Sequence, residues 1–214
     1  MRKRFNLSEF LALLDSADEE SIWKIWTKTF FLVGVVEIVS DDLLVAAFGA
    51  MDRWAAQSIN EWNNEFEHAV RSAFHVINQA IHERPLERND LVLRLAMYCP
   101  SKNAIVSGVA IRAFEFELLK DFKEIAMPFL KRAAMTSSSA PTNIASTVRA
   151  LAFKVLHELE PAVVGTADLH QAQIDCGHLF LQWSKSKADS QNATELSRRG
   201  NALLAGAGIT CEVT

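Results

Sequence analysis

NEWNNEFEHAVRSAFHVINQAIH, residues 60–82, is the stretch whose reading decides the fold. Trp62, Phe66, Ala69, Val70, Ala73, Phe74, Ile77, Ala80 and Ile81 recur at steps of three and four. At 100° per residue they form one stripe about 120° wide, the pattern of a helix that hides one face. The polar run Arg84–Asp90, with Pro85 inside it, ends the pattern, because proline neither donates the next helical hydrogen bond nor fits the turn before it.

The same period governs the chain on both sides. Upstream, Ser16-Ala17-Asp18-Glu19 reads as a capping box, Ser16 accepting an orphan amide and Glu19 reaching back. Ile22, Trp23, Trp26, Thr29, Phe30 and Val33 follow on one face. From Phe31 to Val39 the apolar residues go all the way round. That is a helix buried on every side, or a strand through Val33, Val35, Val36, Ile38 and Val39. With no second strong strand candidate to pair with it, a helix is expected. Ser40 before Asp41 and Asp42 marks the next start, a cap followed by two acids at the positive helix end. Its face is Leu43, Leu44, Ala47, Phe48, Met51, Trp54 and Ala55.

Downstream, Leu91–Tyr98 is a shorter segment. Over 102–135 the stripe runs on Ile105, Val106, Val109, Ala113 and Phe116, then moves to Leu118, Leu119, Phe122, Ile125, Ala126, Phe129, Leu130 and Ala133. The phase change, with Pro128 inside, predicts a kink or break. Thr136-Ser137-Ser138-Ser139-Ala140-Pro141 reads as a linker. Beyond it, Ile144, Val148, Leu151, Ala152, Val155, Leu156 and Leu159 form a stripe stopped at Pro161. Thr166 is placed to cap the following helix, and Asn192-Ala193-Thr194-Glu195 opens a last one that Gly206 and Gly208 end. The expected architecture is all-α: an irregular multi-helix bundle of antiparallel helical hairpins with seven to nine helices. Its parts are 1–136 and 142–214, docked as one domain.

Composition bounds the function. The chain has 214 residues, half of them apolar, 22% charged, and only 8 Gly and 5 Pro, which excludes collagen-like and largely disordered chains. The net charge of −4 carries no cationic footprint of the kind that displaces counterions from nucleic acid. The most apolar run, Phe30 to Val36, falls far short of the about 20 residues of a membrane span. Met1-Arg2-Lys3-Arg4 looks like the start of an export signal, but Asn6, Ser8 and Glu9 interrupt the apolar stretch such a signal requires next. Cys99, Cys176 and Cys211 are far apart and form no C-x-x-C pair, so reduced thiols in the cytoplasm are the expectation. Cys211-Glu212-Val213-Thr214 fits a prenylation box only loosely, with Glu212 and Thr214 atypical, and reads as coincidence.

No catalytic grouping survives projection onto the helices. His68, His75 and His82 are seven apart, about 10.5 Å along the axis between neighbours. That is too far to share one metal at about 2 Å per ligand bond. They fall opposite the apolar stripe, as a solvated face or a pH-sensitive contact stripe. Glu65-Phe66-Glu67-His68 has the Glu-x-x-His spacing of carboxylate-bridged di-iron bundles, and Asp175-Cys176-Gly177-His178 is a degenerate second copy. That chemistry requires both motifs to project inward, whereas here His68, Asp175 and His178 project outward. Lys120, Lys123 and Lys131 share a face, with Arg132 further round, but Asp121 and Glu124 sit beside them as on an ordinary solvated helix.

The expected function is therefore a non-enzymatic helical interaction module: an adaptor, inhibitor or complex subunit. It binds another protein or a second copy of itself, with no cofactor, no catalytic residue and no metal. Trp23 and Trp26 are candidate anchors, tryptophan being a favoured interface residue. Lys120, Lys123 and the stripe His68, His75 and His82 complete the candidate contact set. Two alternatives stay open. One is a metal-dependent helical enzyme using Glu65 and His68. The other is a nucleic-acid-contacting subunit using Lys120, Lys123, Lys131 and Arg132.

Overall fold

A computed structural model describes residues 6–33, 38–57, 63–115, 121–135, 142–186 and 191–209. Among them are ten α-helices and no strand, so the all-α expectation holds, with one helix more than the upper bound expected. The helices are α1 (Leu7–Ser16), α2 (Glu19–Val33), α3 (Asp41–Ala55), α4 (Asn64–Glu83), α5 (Arg88–Ala96), α6 (Ala104–Ala113), α7 (Lys123–Met135), α8 (Thr142–Leu159), α9 (His170–Ser186) and α10 (Gln191–Gly206). Two short 3-10 turns, Pro161–Val163 and Ala167–Leu169, join α8 to α9. Several sequence expectations fall outside the described residues: the start Met1–Arg4, the middle of the apolar run, Trp62, Lys120, the Ser-rich stretch 136–141 and Cys211–Thr214.

The chain divides into two compact units, Met1–Ala110 and Ile111–Thr214, and the division falls inside α6. The helices on either side of 136–141, α7 and α8, pack against each other within the second unit.

In the first unit α4 packs on α2, α3 and α5. Its predicted stripe is the buried one: Phe66, Ala69, Val70, Ala73, Ile77, Ala80 and Ile81 are all inside. Several helix starts of this unit are fixed by a side-chain cap. Asn6, Ser40 and Asn63 accept from the amides of Glu9, Leu43 and Phe66 at 3.2, 3.3 and 3.0 Å. Asn103 accepts from Ile105 and Val106 at the start of α6 and donates through Nδ2 to the Trp54 carbonyl, tying α6 to the end of α3. The capping box is corrected. Ser16 closes α1 by donating to the carbonyls of Ala12 and Leu13, and Asp18 caps α2 by accepting from the Ser21 amide at 2.8 Å. Both readings fit a polar stretch between two helices. An acidic side chain next to the first turn also gains from the helix dipole, which favours Asp18.

Helix α2 continues to Val33, and Ile38 and Val39 lie outside any helix. Val39 is held at both ends of its peptide: its amide donates to Glu83 Oε2 (2.8 Å) and its carbonyl accepts from Arg84 (2.7 Å). Arg84 also pairs with Asp41 at 2.6 Å, which fastens the start of α3 to the end of α4.

In the second unit α9 lies against α10 and α8, and α8 against α7. The phase change over 102–135 is a break between α6 and α7. Pro128 nevertheless sits inside α7, with its ring exposed. Only one helical bond depends on the missing N–H, and an exposed ring leaves the packed face intact. Thr166 precedes a 3-10 turn rather than α9 itself and its hydroxyl makes no cap bond. Helix α10 ends as expected at its glycines. The Ile209 amide reaches the Leu204 carbonyl and that of Gly208 the Ala205 carbonyl, while Gly208 takes φ +75°. This is the left-handed glycine stop that pairs last-turn carbonyls with amides beyond the helix.

Candidate partner-binding cleft

Three helices of the first unit surround an apolar cleft of about 160 Å³. Helix α1 contributes Leu11, Leu14 and Asp15, which helical spacing places on one side. Helix α2 contributes Ile22 and Trp26, one turn apart, and α3 contributes Ala46, Gly49, Ala50, Arg53 and Trp54. The hollow exists because α3 presents small residues here. A Cβ on Gly49 would meet nothing within 4 Å, and Gly49 is exposed.

The cleft is backed by rigid aromatics. Phe10 meets Trp26 edge to face at 5.1 Å, Trp26 meets Trp54 at 6.4 Å, and Trp54 meets Phe66 at 5.6 Å. Trp23 joins the series against Phe66 at 4.8 Å. Such contacts add about 0.5–1.5 kcal/mol each beyond area burial. The indole N–H groups of Trp23, Trp26 and Trp54 are buried without a hydrogen-bond partner among the described residues. At the cleft's edge Asp15 and Arg53 are exposed, and neither side chain makes an ion pair or hydrogen bond among the described residues.

The proposed contact residues that the structure describes fall in both units. Trp26 walls the cleft but is fully buried, so its ring gives its surface to the core; Trp23 is half-buried. His68 and His82 are exposed on α4 and His75 is half-buried, engaged by an interaction of its own. Glu65 is exposed like His68, and its carbonyl accepts from Thr27 at 3.3 Å. In the second unit Lys123 pairs with Glu160 at 3.1 Å, Lys131 is half-buried and Arg132 is exposed but engaged. The described residues bring no three His, Cys, Asp or Glu side chains together as a metal site.

The sequence reading missed Gly49, Leu11, Leu14 and Arg53. The signal for them was the run Ala46, Ala47, Gly49, Ala50 on α3, where small residues leave room on a face that otherwise carries Phe48, Met51 and Trp54. It also missed Arg149, which the second unit places beside Asp175 and His178.

Burial sets the chemistry of the thiols. Cys99, enclosed in the first unit, has its thiol pushed well up by desolvation. Cys176 is pushed up to about 12, chiefly by burial, with Asp175 adding to the rise and Arg149 opposing it. Both are thiols at neutral pH, without the thiolate character a nucleophile requires. Tyr98 is also pushed up, by burial and by donating to Asp52 Oδ1 at 2.5 Å. Arg94 holds the other Asp52 oxygen at 2.8 Å and lies 3.9 Å over the Phe48 ring, clamping α5 to α3. No helix among the described residues is long and apolar enough to cross a membrane. No protein-family model, no curated protein and no solved structure matches this chain.

Proposed function

We propose that the protein is a non-enzymatic helical interaction module of the cytoplasm. Its α1–α2–α3 cleft receives an apolar side chain from a partner protein. One observation carries the reading: an open apolar hollow with a rigid aromatic back, flanked by one acidic and one basic residue that lack partners among the described residues. An anchor side chain in a pre-formed, desolvated pocket is the arrangement from which interfaces draw most of their energy. Asp15 and Arg53 favour a segment with a basic and an acidic residue on either side of the anchor, which sets register more than affinity.

Gly49 supplies the test. Gly49→Leu fills the hollow from the exposed side, where an added Cβ meets nothing. A photo-crosslinking residue at position 49, used in the native host, should capture one partner chain reproducibly. Gly49→Leu should weaken binding to that partner at least about tenfold with helicity unchanged. Full-strength binding by the filled variant would refute the cleft as the contact site.

A further inference from the structure

The second unit holds a cavity of a different character. It measures about 200 Å³ and is lined by Arg149 from α8 and by Asp175, Cys176, His178, Leu179 and Gln182 from α9. Asp175, His178, Leu179 and Gln182 follow at helical steps, so one face of α9 supplies every lining residue except Arg149 and the more deeply set Cys176. The Arg149 guanidinium is oriented by its own fold contact: Nε donates to the Ala134 carbonyl near the end of α7 at 3.2 Å. Its Nη2 lies 3.8 Å from Asp175 Oδ2, attracted but outside hydrogen-bond range. The terminal N–H groups of Arg149 therefore have no hydrogen-bond acceptor among the described residues. Asp175 Oδ1 accepts from Gln171 at 2.9 Å, whereas Oδ2 accepts from no donor there. His178 and Gln182 are exposed, and their side chains make no hydrogen bond among the described residues.

We infer that this cavity binds a small α-amino acid, its carboxylate on Arg149 and its ammonium on Asp175. The guanidinium matches a carboxylate through paired N–H donors. The two protein charges are adjacent, and an α-amino acid carries its opposite charges on neighbouring positions of one carbon. A lone oxyanion would meet Asp175 as a repelling neighbour, and a lone amine would meet Arg149. Ligand pockets for drug-sized molecules span roughly 300–1,000 Å³, so this one admits a small occupant. Leu179 and Cys176 present it with an apolar wall, which suits a short side chain.

The test uses the whole chain, with L-alanine, L-serine and L-valine titrated singly while the side-chain NMR signals of His178 and Gln182 are followed. Propionate, propylamine, 4-aminobutyrate and inorganic phosphate serve as comparison probes. At least one of the three amino acids should shift both signals saturably, at least about tenfold more tightly than any comparison probe. Arg149→Met also removes the Ala134 contact and can disturb the fold, so the deciding variant is Asp175→Asn at an exposed position. It should weaken the amino acid at least about tenfold and leave propionate as strong or stronger. The inference is overturned by any of three results: no saturable shift from the three amino acids up to about 10 mM, any comparison probe binding as well as the best of them, or an unchanged amino-acid affinity in Asp175→Asn. It rests on the second unit alone, so its failure would leave the cleft of the first unit untouched.

Discussion

Residue by residue, solvent access decides the chemistry. Cys99 and Cys176 are ordinary side chains whose thiols are raised because a thiolate would lose its hydration. Alkylation of the native protein at pH 8, mapped by peptide mass, should leave both unmodified, and denaturant should expose both together with the rest of the chain. Rapid native labelling of either would contradict their burial. Glu195 shows the opposite case. Arg198 and Arg199 hydrogen-bond its carboxylate and hold it down at about 2, from an ordinary 4.5. A depressed carboxylate contributes stability that is present above its unfolded value and lost as pH falls through the folded one. The advantage of the native chain over Glu195→Gln in an acid titration followed by circular dichroism should therefore be full above pH 4.5 and gone near pH 2. The size is modest because the carboxylate is well exposed and the pairs are screened.

Elements are held by how closely they approach, and two glycines show the contrast. Gly177 on α9 and Gly200 on α10 face each other. A Cβ on Gly177 would lie 2.7 Å from Leu204 Cγ and 3.2 Å from the Gly200 carbonyl, and one on Gly200 would lie 2.9 Å from the Gly177 carbonyl. Gly49 on α3 has empty space where its Cβ would be. The same substitution should have opposite signs. Gly49→Ala should stabilise by about 0.5–1 kcal/mol, the helix propensity gained at no packing cost. Gly177→Ala should destabilise by about 1–2 kcal/mol, since overpacking outweighs that gain. Urea unfolding of the two variants measures both, and a stabilising Gly177→Ala would show that the α9–α10 crossing is looser than these distances require.

In the whole molecule, stability is distributed unevenly. Helix α4 packs on three neighbours and hides nearly every residue of its stripe, whereas α1 buries only Phe10. Native-state hydrogen exchange should find the central amides of α4 opening only with the first unit as a whole, and those of α1 exchanging by local fraying. Equal protection of the two helices would refute this ordering. Among the described residues both units rely on buried aromatics, side-chain caps are seen at helix starts of the first, and in the second ion pairs tie a helix to a segment distant in sequence, as in Lys154–Glu115 and Arg199–Glu158.

Periodicity was legible because helix geometry is local: residues three or four apart share a face whatever surrounds them. The stripe of α4, the cap at Ser40 and the stop at Gly208 were all readable in this way. Ser16 and Asp18 were not separable, since two neighbouring oxygens compete for the same orphan amides and the exact chain path selects one. The cleft and the cavity were out of reach for a different reason. A hollow at Gly49, or Arg149 standing beside Asp175, arises where side chains distant in sequence meet, and periodicity carries no information about the neighbour across the gap. The amino-acid order by itself determined which faces turn inward, through the exclusion of apolar surface from water. Only the tertiary packing decided where those faces fail to fill the space between them.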